Sequence, residues 1–271
     1  MTSALAALPL WVKAILLGIV EGITEFLPVS STGHLILGGH LLGWTDARAE
    51  TFEIFIQLGA ILAILWLYRA RLTAVARHVA SNRADQRFVL SLVIAFIPAA
   101  AVGFLFHRQI KDVLFTPVVV AIALVVGGIA ILLIERWAPP SHNDDPFAVP
   151  PRTALGVGLA QVLALIPGVS RSGATILGGF SLGLTRRAAT EFSFFLAIPV
   201  MFAATLYDLF SSRELLSTAD VPILAIGFAV SFISALVVVR SFLRYVSHRS
   251  FAIFAWYRIV FGLLLLWILQ A

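Results

Sequence analysis

Two short breaks in apolar sequence decide the fold: Leu27-Pro28-Val29-Ser30-Ser31-Thr32-Gly33 and Pro167-Gly168-Val169-Ser170-Arg171-Ser172-Gly173. The first interrupts an apolar region from about 8 to 43, the second a region from about 153 to 183. Each half of these regions offers ~11–15 helical residues, or ~16–22 Å at 1.5 Å per residue. Crossing a hydrocarbon core of ~30 Å takes ~20 residues. A helix that enters, turns at the Pro/Gly/Ser break and returns fits the length available, and each region reads as a re-entrant helical hairpin. Non-helical backbone at that depth is tolerated only where protein or a polar cavity covers it.

Working outward, six further apolar runs, roughly 52–68, 88–106, 115–135, 190–210, 221–239 and 251–270, are long enough, or nearly so, to span a bilayer. Of the 271 residues 60% are apolar and only 12% charged, and the mean hydropathy is +1.00. A soluble domain carries about 25% charged residues, so composition argues against a water-soluble enzyme and against a disordered chain. The chain contains no Cys, which excludes disulfides. Its 19 Lys and Arg exceed its 14 Asp and Glu, but they sit in short loops between apolar runs, so no nucleic-acid partner is expected. Met1–Pro9 lacks a basic stretch, and no cleavable signal peptide is expected.

The two broken regions resemble each other. With an offset of 140 residues, Gly18 meets Gly158, Val29-Ser30 meets Val169-Ser170, Gly33 meets Gly173 and Ile36-Leu37-Gly38-Gly39 meets Ile176-Leu177-Gly178-Gly179. Fourteen of the 42 positions from 18 to 59 are identical without a gap, and the later spans keep the same offset. The expected architecture is an all-α polytopic membrane protein of one integral domain over 1–271. It has six transmembrane helices plus two re-entrant hairpins, with repeats at about 8–135 and 150–270 and a polar linker at about 136–151. One hairpin plus three spans makes the second copy an inverted-topology repeat of the first.

Charge sets the orientation. Loops 69–87, 136–152, 184–191 and 240–250 hold twelve Arg, whereas Lys13, Arg48, Arg108, Lys111 and Arg213 make five on the other side. The Arg-rich side is expected to be cytoplasmic, with both termini outside. The six Trp lie mostly near span ends, as an aromatic belt would place them.

Ionisable groups within apolar segments are costly and mark candidate sites. Glu21 and Glu25, four apart, share one helical face. Two carboxylates there repel unless they share a proton or a cation, and the spacing suits Mg²⁺ or Ca²⁺. A salt bridge to Arg171 with a packing role is the plainer alternative. Ser30, Ser31 and Thr32 open the first returning helix, and Ser170, Arg171 and Ser172 open the second. Helix N-termini suit phosphate, although Ser and Thr there also serve as plain caps. Two such starts meeting near the midplane, with Arg171, would hold two phosphate groups. His34, one turn after Ser31, is placed to orient or deprotonate it. Glu53, Gln57 and Glu191 are candidate supporting polar groups, Glu191 also a partner for Arg187. His40, His78, His107, His142 and His248 are expected in loops or interfaces, and Asp208 and Arg258 as anchors near the membrane boundary.

Glu21-Gly-Ile-Thr-Glu25-Phe-Leu-Pro-Val-Ser-Ser-Thr-Gly-His34, together with Pro167-Gly-Val-Ser-Arg171-Ser-Gly-Ala-Thr175, resembles the undecaprenyl-diphosphatase family associated with bacitracin resistance. The resemblance covers nearly the whole chain and implies a bacterial inner-membrane hydrolase with its site open to the outer face. Such an enzyme removes the terminal phosphate of undecaprenyl pyrophosphate, recycles the carrier lipid for peptidoglycan and needs a divalent cation. Carried over by position, Glu21, Glu25, Ser31, His34 and Arg171 are the expected catalytic set, with Glu21 and Glu25 as metal ligands. Ser30, Thr32, Gly33, Ser170, Ser172 and Gly173 would surround the phosphates. Ser31, His34 or water remain open as nucleophile, and His34 or Glu25 as the base for Ser31. The expected partners are the lipid substrate and membrane lipid, and a homodimer could form. The competing class is a carrier of polyprenyl phosphate, since inverted repeats with broken helices also build transporters. Phosphate release in detergent without any gradient separates the two.

Overall fold

The computed structural model describes residues 2–211 and 218–270, and among them the regular structure is helical. Twelve helices follow in order: α1 Thr2–Ala6, α2 Leu10–Thr24, α3 Ser31–Leu42, α4 Ala47–Leu67, α5 Arg69–His78, α6 Arg83–Leu114, α7 Pro117–Trp137, α8 Pro151–Val162, α9 Arg171–Ser181, α10 Arg186–Ser211, α11 Val221–Val246 and α12 Ala252–Gln270. Arg213 lies outside the described residues, as do the side chains of His107, Lys111 and Asp208.

α4, α6, α7, α10, α11 and α12 are the six helices long and apolar enough to cross a membrane, each overlapping one expected span. Their outward faces carry large apolar side chains such as Phe104, Val126, Val237 and Val260, all more than half exposed. A surface this apolar is suited to lipid rather than water. Three details differ from the sequence reading. The Arg-rich stretch 69–87 is not a loop but contains α5, whose Val75 is buried beside Phe88 and Phe195. α11 continues past 239 to Val246, so Arg240 and Arg244 lie on its last turns. Trp44 is no belt residue: it is buried with its ring 4.8 Å from that of Phe52, whereas Trp11, Trp66, Trp137, Trp256 and Trp267 are exposed.

The two short-helix pairs, α2–α3 and α8–α9, each pack as a hairpin, and each leans on a long helix far away in sequence. α2 lies along α11, and α8 lies along α6. Small residues permit the close approach. A Cβ added to Gly22 would sit 2.5 Å from the Ser231 carbonyl oxygen, and one on Gly158 would sit 2.6 Å from that of Ala95. α4 packs on α10, and α7 on α12.

At the Arg-rich end, Glu135 of α7 pairs with Arg186 and accepts the Phe251 N–H, joining α7, α10 and the start of α12. Arg71 pairs with Asp85 at 3.1 Å. Glu191 meets Arg187 at 3.5 Å, the expected partner, and also accepts the Tyr68 hydroxyl at 3.0 Å. The 136–151 segment is anchored where His142 N–H donates to Gly183 O and Thr185 N–H to Asn143 O.

Candidate active site

Pro28 and Pro167 stop the inbound helices because proline disfavours helical backbone in the residue before it. The chain then restarts as α3 and α9 from Ser30 and Ser170. These are the two non-glycine residues with positive φ among the described residues, at 70° and 76°. Such backbone is strained and persists only where the surroundings enforce it.

Arg258 of α12 does the enforcing. Its Nη1 donates to Pro28 O at 3.2 Å and Val169 O at 2.9 Å, and its Nη2 to Gly168 O at 2.9 Å and Ala123 O at 3.1 Å. Its Nε reaches Leu124 O at 3.4 Å. One guanidinium thus binds both hairpin tips to each other and to α7. Arg258 is 1% exposed, so its expected role as a boundary anchor is corrected: it is the bolt at the centre. Arginine suits this place because its rigid fork offers five donors. The signal in the sequence was a charge inside the run 251–270, seven residues after Phe251, where snorkelling was the easier reading.

With carbonyls turned to Arg258, the tips present hydroxyls elsewhere. Ser31 Oγ donates to Glu25 Oε2 at 2.6 Å, and Arg171 Nη2 donates to Glu25 Oε1 at 2.9 Å. Glu25 therefore sits between a hydroxyl and a guanidinium, one oxygen for each. Arg171 is held in turn by Ser193 O at 3.2 Å, and Ser193 by Thr175, at 2.6 Å between hydroxyls. In the second tip Ser170 Oγ caps Gly173 N–H at 3.1 Å, and Ser172 Oγ donates across to Leu27 O at 2.7 Å. Ser193 and Leu27 O escaped sequence reasoning, because a serine inside a span and a backbone carbonyl carry no motif.

Glu25, Ser30, Ser31, Thr32, Ser170, Arg171 and Gln57 line one polar cavity of about 180 Å³. Gln57 is thus placed as a supporting group, whereas Glu53 does not line this cavity. Ser172, Gly33 and Gly173 do not line it either: Gly33 faces Val120 of α7, and Gly173 faces Arg258. His34 is not brought to Ser31. Its Nδ1 bonds Ser30 O at 2.7 Å, its Nε2 meets the Tyr257 hydroxyl, and its ring stacks on Phe261. A carbonyl can only accept, so Nδ1 carries the proton and Nε2 accepts from Tyr257. The reason is local. Ser31 starts α3 and turns back to Glu25, while His34, within the helix, faces α12. His40, His78, His142 and His248 are exposed, but His40 lies on α3 and His78 ends α5, so these two are not in loops.

Glu21 lies fully buried one turn before Glu25, and neither of its carboxylate oxygens has a hydrogen-bond partner. A second cavity, of about 510 Å³ and mostly apolar, adjoins the first. It is lined by α6 from Phe96 to Phe104, by Gln161 and Leu165, and by α10 from Val200 to Tyr207. Arg171, Ala164 and Val200 belong to both walls. The arrangement can hold a polar head beside Ser31 with an apolar tail leading away past Arg171.

A family model described as "Bacitracin resistance protein BacA" matches residues 14–264. Relatives named undecaprenyl-diphosphatase include one from Aromatoleum aromaticum, 57% identical over 96% of this chain and 94% of its own length. One from Nitrosomonas eutropha is 57% identical over 94% and 93%, and one from Methylococcus capsulatus is 53% identical over 96% and 95%. With the two tips, the paired acids and the arginine all within the matched residues, the chain belongs to the bacitracin resistance protein BacA family.

Proposed function

We propose that this chain hydrolyses undecaprenyl pyrophosphate to undecaprenyl phosphate and inorganic phosphate, at the junction of the two hairpin tips. The name that these relatives share supplies the reaction. The observation that carries its location is the Ser31–Glu25–Arg171 chain on the wall between a polar and an apolar cavity. The carrier alternative gains nothing from these relatives.

The pyrophosphate enters the polar cavity, and the prenyl chain lies in the apolar one. Ser31 Oγ attacks the terminal phosphorus, its proton passing to Glu25 Oε2, and the anhydride P–O bond breaks to release the lipid monophosphate. Water then attacks the phosphoserine, breaking the Oγ–P bond. Inorganic phosphate leaves, and Ser31 regains a proton. Arg171 and the N–H groups opening α3 and α9 stabilise charge on the phosphoryl oxygens. His34, held by Ser30 O and Tyr257, fixes the first tip instead of touching phosphorus.

The residues fit a divalent cation, Mg²⁺ or Ca²⁺, at Glu21 and Glu25. Glu21 is a buried carboxylate without a donor, a costly state unless paired, and no group of three or more acids or histidines surrounds it among the described residues. A cation there would supply charge neutralisation toward the phosphate oxygens, with the remaining ligands from substrate and water.

The two halves, about 8–135 and 150–270, act as inverted copies. The exchanged packing of α2 on α11 and α8 on α6 supports this. The site faces outward from a bacterial inner membrane with both termini outside. The apolar cavity is lined by α6 from Phe96 and by α10 from Val200, more than three turns along each helix from Arg83 and Arg186, which supports the Arg-poor side.

The test is phosphate release from a C55 or shorter prenyl pyrophosphate by purified protein in detergent. EDTA and Glu25→Gln should each reduce it at least about a hundredfold. Undiminished release by Glu25→Gln would place the chemistry elsewhere.

A further inference from the structure

Two polar groups in the apolar cavity have no partner. Gln161, the last residue but one of α8, is 2% exposed, and both its amide nitrogen and its amide oxygen are buried without a hydrogen bond. Arg171 Nε is likewise buried and unbonded, although both of its terminal nitrogens are engaged. Both residues line the same cavity, whose other walls are Phe, Ala, Leu, Val and Gly, with Tyr207 at one end. Buried amides left unpaired are uncommon and costly. A prenyl chain offers them nothing, because it has no acceptor. A diphosphate lipid has one acceptor group between its terminal phosphate and its first isoprene unit: the lipid-linked phosphate. With the terminal phosphate at Ser31 and the tail in the apolar cavity, that group falls at the Arg171 boundary.

We propose that Gln161, with Arg171 Nε, is the binding site for the lipid-linked phosphate, the one the product keeps. This rests on the placement of head and tail argued above. The offset of 140 that relates the two tips places Gln161 at the position of Glu21. The first copy has a carboxylate there, suited to a cation or a proton. The second has an amide, which donates to a phosphate where a carboxylate would repel it. Gln161 thereby governs how tightly substrate and product lipid are held, and not attack at the terminal phosphorus.

The experiment measures binding of a prenyl monophosphate to purified protein in detergent, beside inhibition of turnover by inorganic phosphate. Gln161→Met keeps shape and volume while removing both unpaired groups. It should weaken monophosphate binding and raise KM about tenfold, with inhibition by inorganic phosphate unchanged. Gln161→Glu should weaken monophosphate binding about a hundredfold. Equal monophosphate affinity in wild type and Gln161→Met overturns the proposal. So does a Gln161→Met protein that fails to fold, since the amide would then be needed without ligand. Ser31→Ala separates the two readings: if it turns over normally, the attack step is wrong, while the binding result still stands or falls on Gln161.

Discussion

Position 31 in the first tip holds a serine, and position 171 in the second, 140 residues on, holds an arginine. Both begin a helix, both follow a serine of positive φ, and both lie in a tip whose carbonyls are bound to Arg258. The backbones match, and the side chains differ in what they deliver. The first tip sends a hydroxyl to Glu25, and the second sends a cation to the same carboxylate from the other side. Support is unequal too. Ser170 caps its own helix, and Ser172 reaches across to Leu27, whereas Ser30 makes no side-chain cap. The second tip braces the first. Two tips 140 residues apart converge on one carboxylate, and serine at 31 against arginine at 171 gives them complementary chemistry.

The strongest way to break the comparison is to remove what both tips share. Arg258→Leu leaves turn carbonyls buried without donors and frees two strained serines. It should cost about 3–5 kcal/mol of stability and abolish phosphate release, read by thermal unfolding in detergent beside turnover. A wild-type melting midpoint would mean that each tip holds its own shape.

Next in size, Ser31→Ala and Arg171→Ala should each lower kcat by about 10²–10³-fold, with unfolding little changed for Ser31→Ala. Exchanging the two, Ser31→Arg with Arg171→Ser, should not restore turnover. The residue 140 after Glu25 is Leu165, so the second tip has no acid to take a serine proton. Recovery in the double variant would show the tips to be interchangeable.

The smallest effect sharpens the asymmetry. Glycine tolerates positive φ without penalty. Ser30→Gly should leave stability unchanged or raise it by up to about 1 kcal/mol. Ser170→Gly should gain less, because it forfeits the Gly173 cap. Equal shifts in the two melting curves would contradict the bracing role of the second tip.

The spans and both breaks were legible because hydrocarbon thickness sets a length that apolar runs either meet or miss. Glu25, Ser31 and Arg171 were legible because charge and hydroxyl clusters inside such runs are expensive. The partner of Ser31 was legible only as a choice between His34 and Glu25. Sequence spacing favoured His34 at one turn, but spacing holds only within a helix, and Ser31 stands at its first residue. Arg258 was hidden because an arginine near a span end has two fates, snorkelling or burial, and only the carbonyls of two distant turns decide between them. α5 was hidden because its basic residues dominated the reading of 69–87, while its packing rests on Val75 with Leu72 beside it.

Arg258 also orders events in time. It belongs to α12, which is synthesised after α1 to α11. A nascent chain that has reached α11 already contains Glu21, Glu25, Ser31, Gln161 and Arg171, but not the cation that sets both turns. The reactive groups of both tips therefore exist in the chain before the one side chain that binds their carbonyls together, and the centre is complete only once α12 is in place.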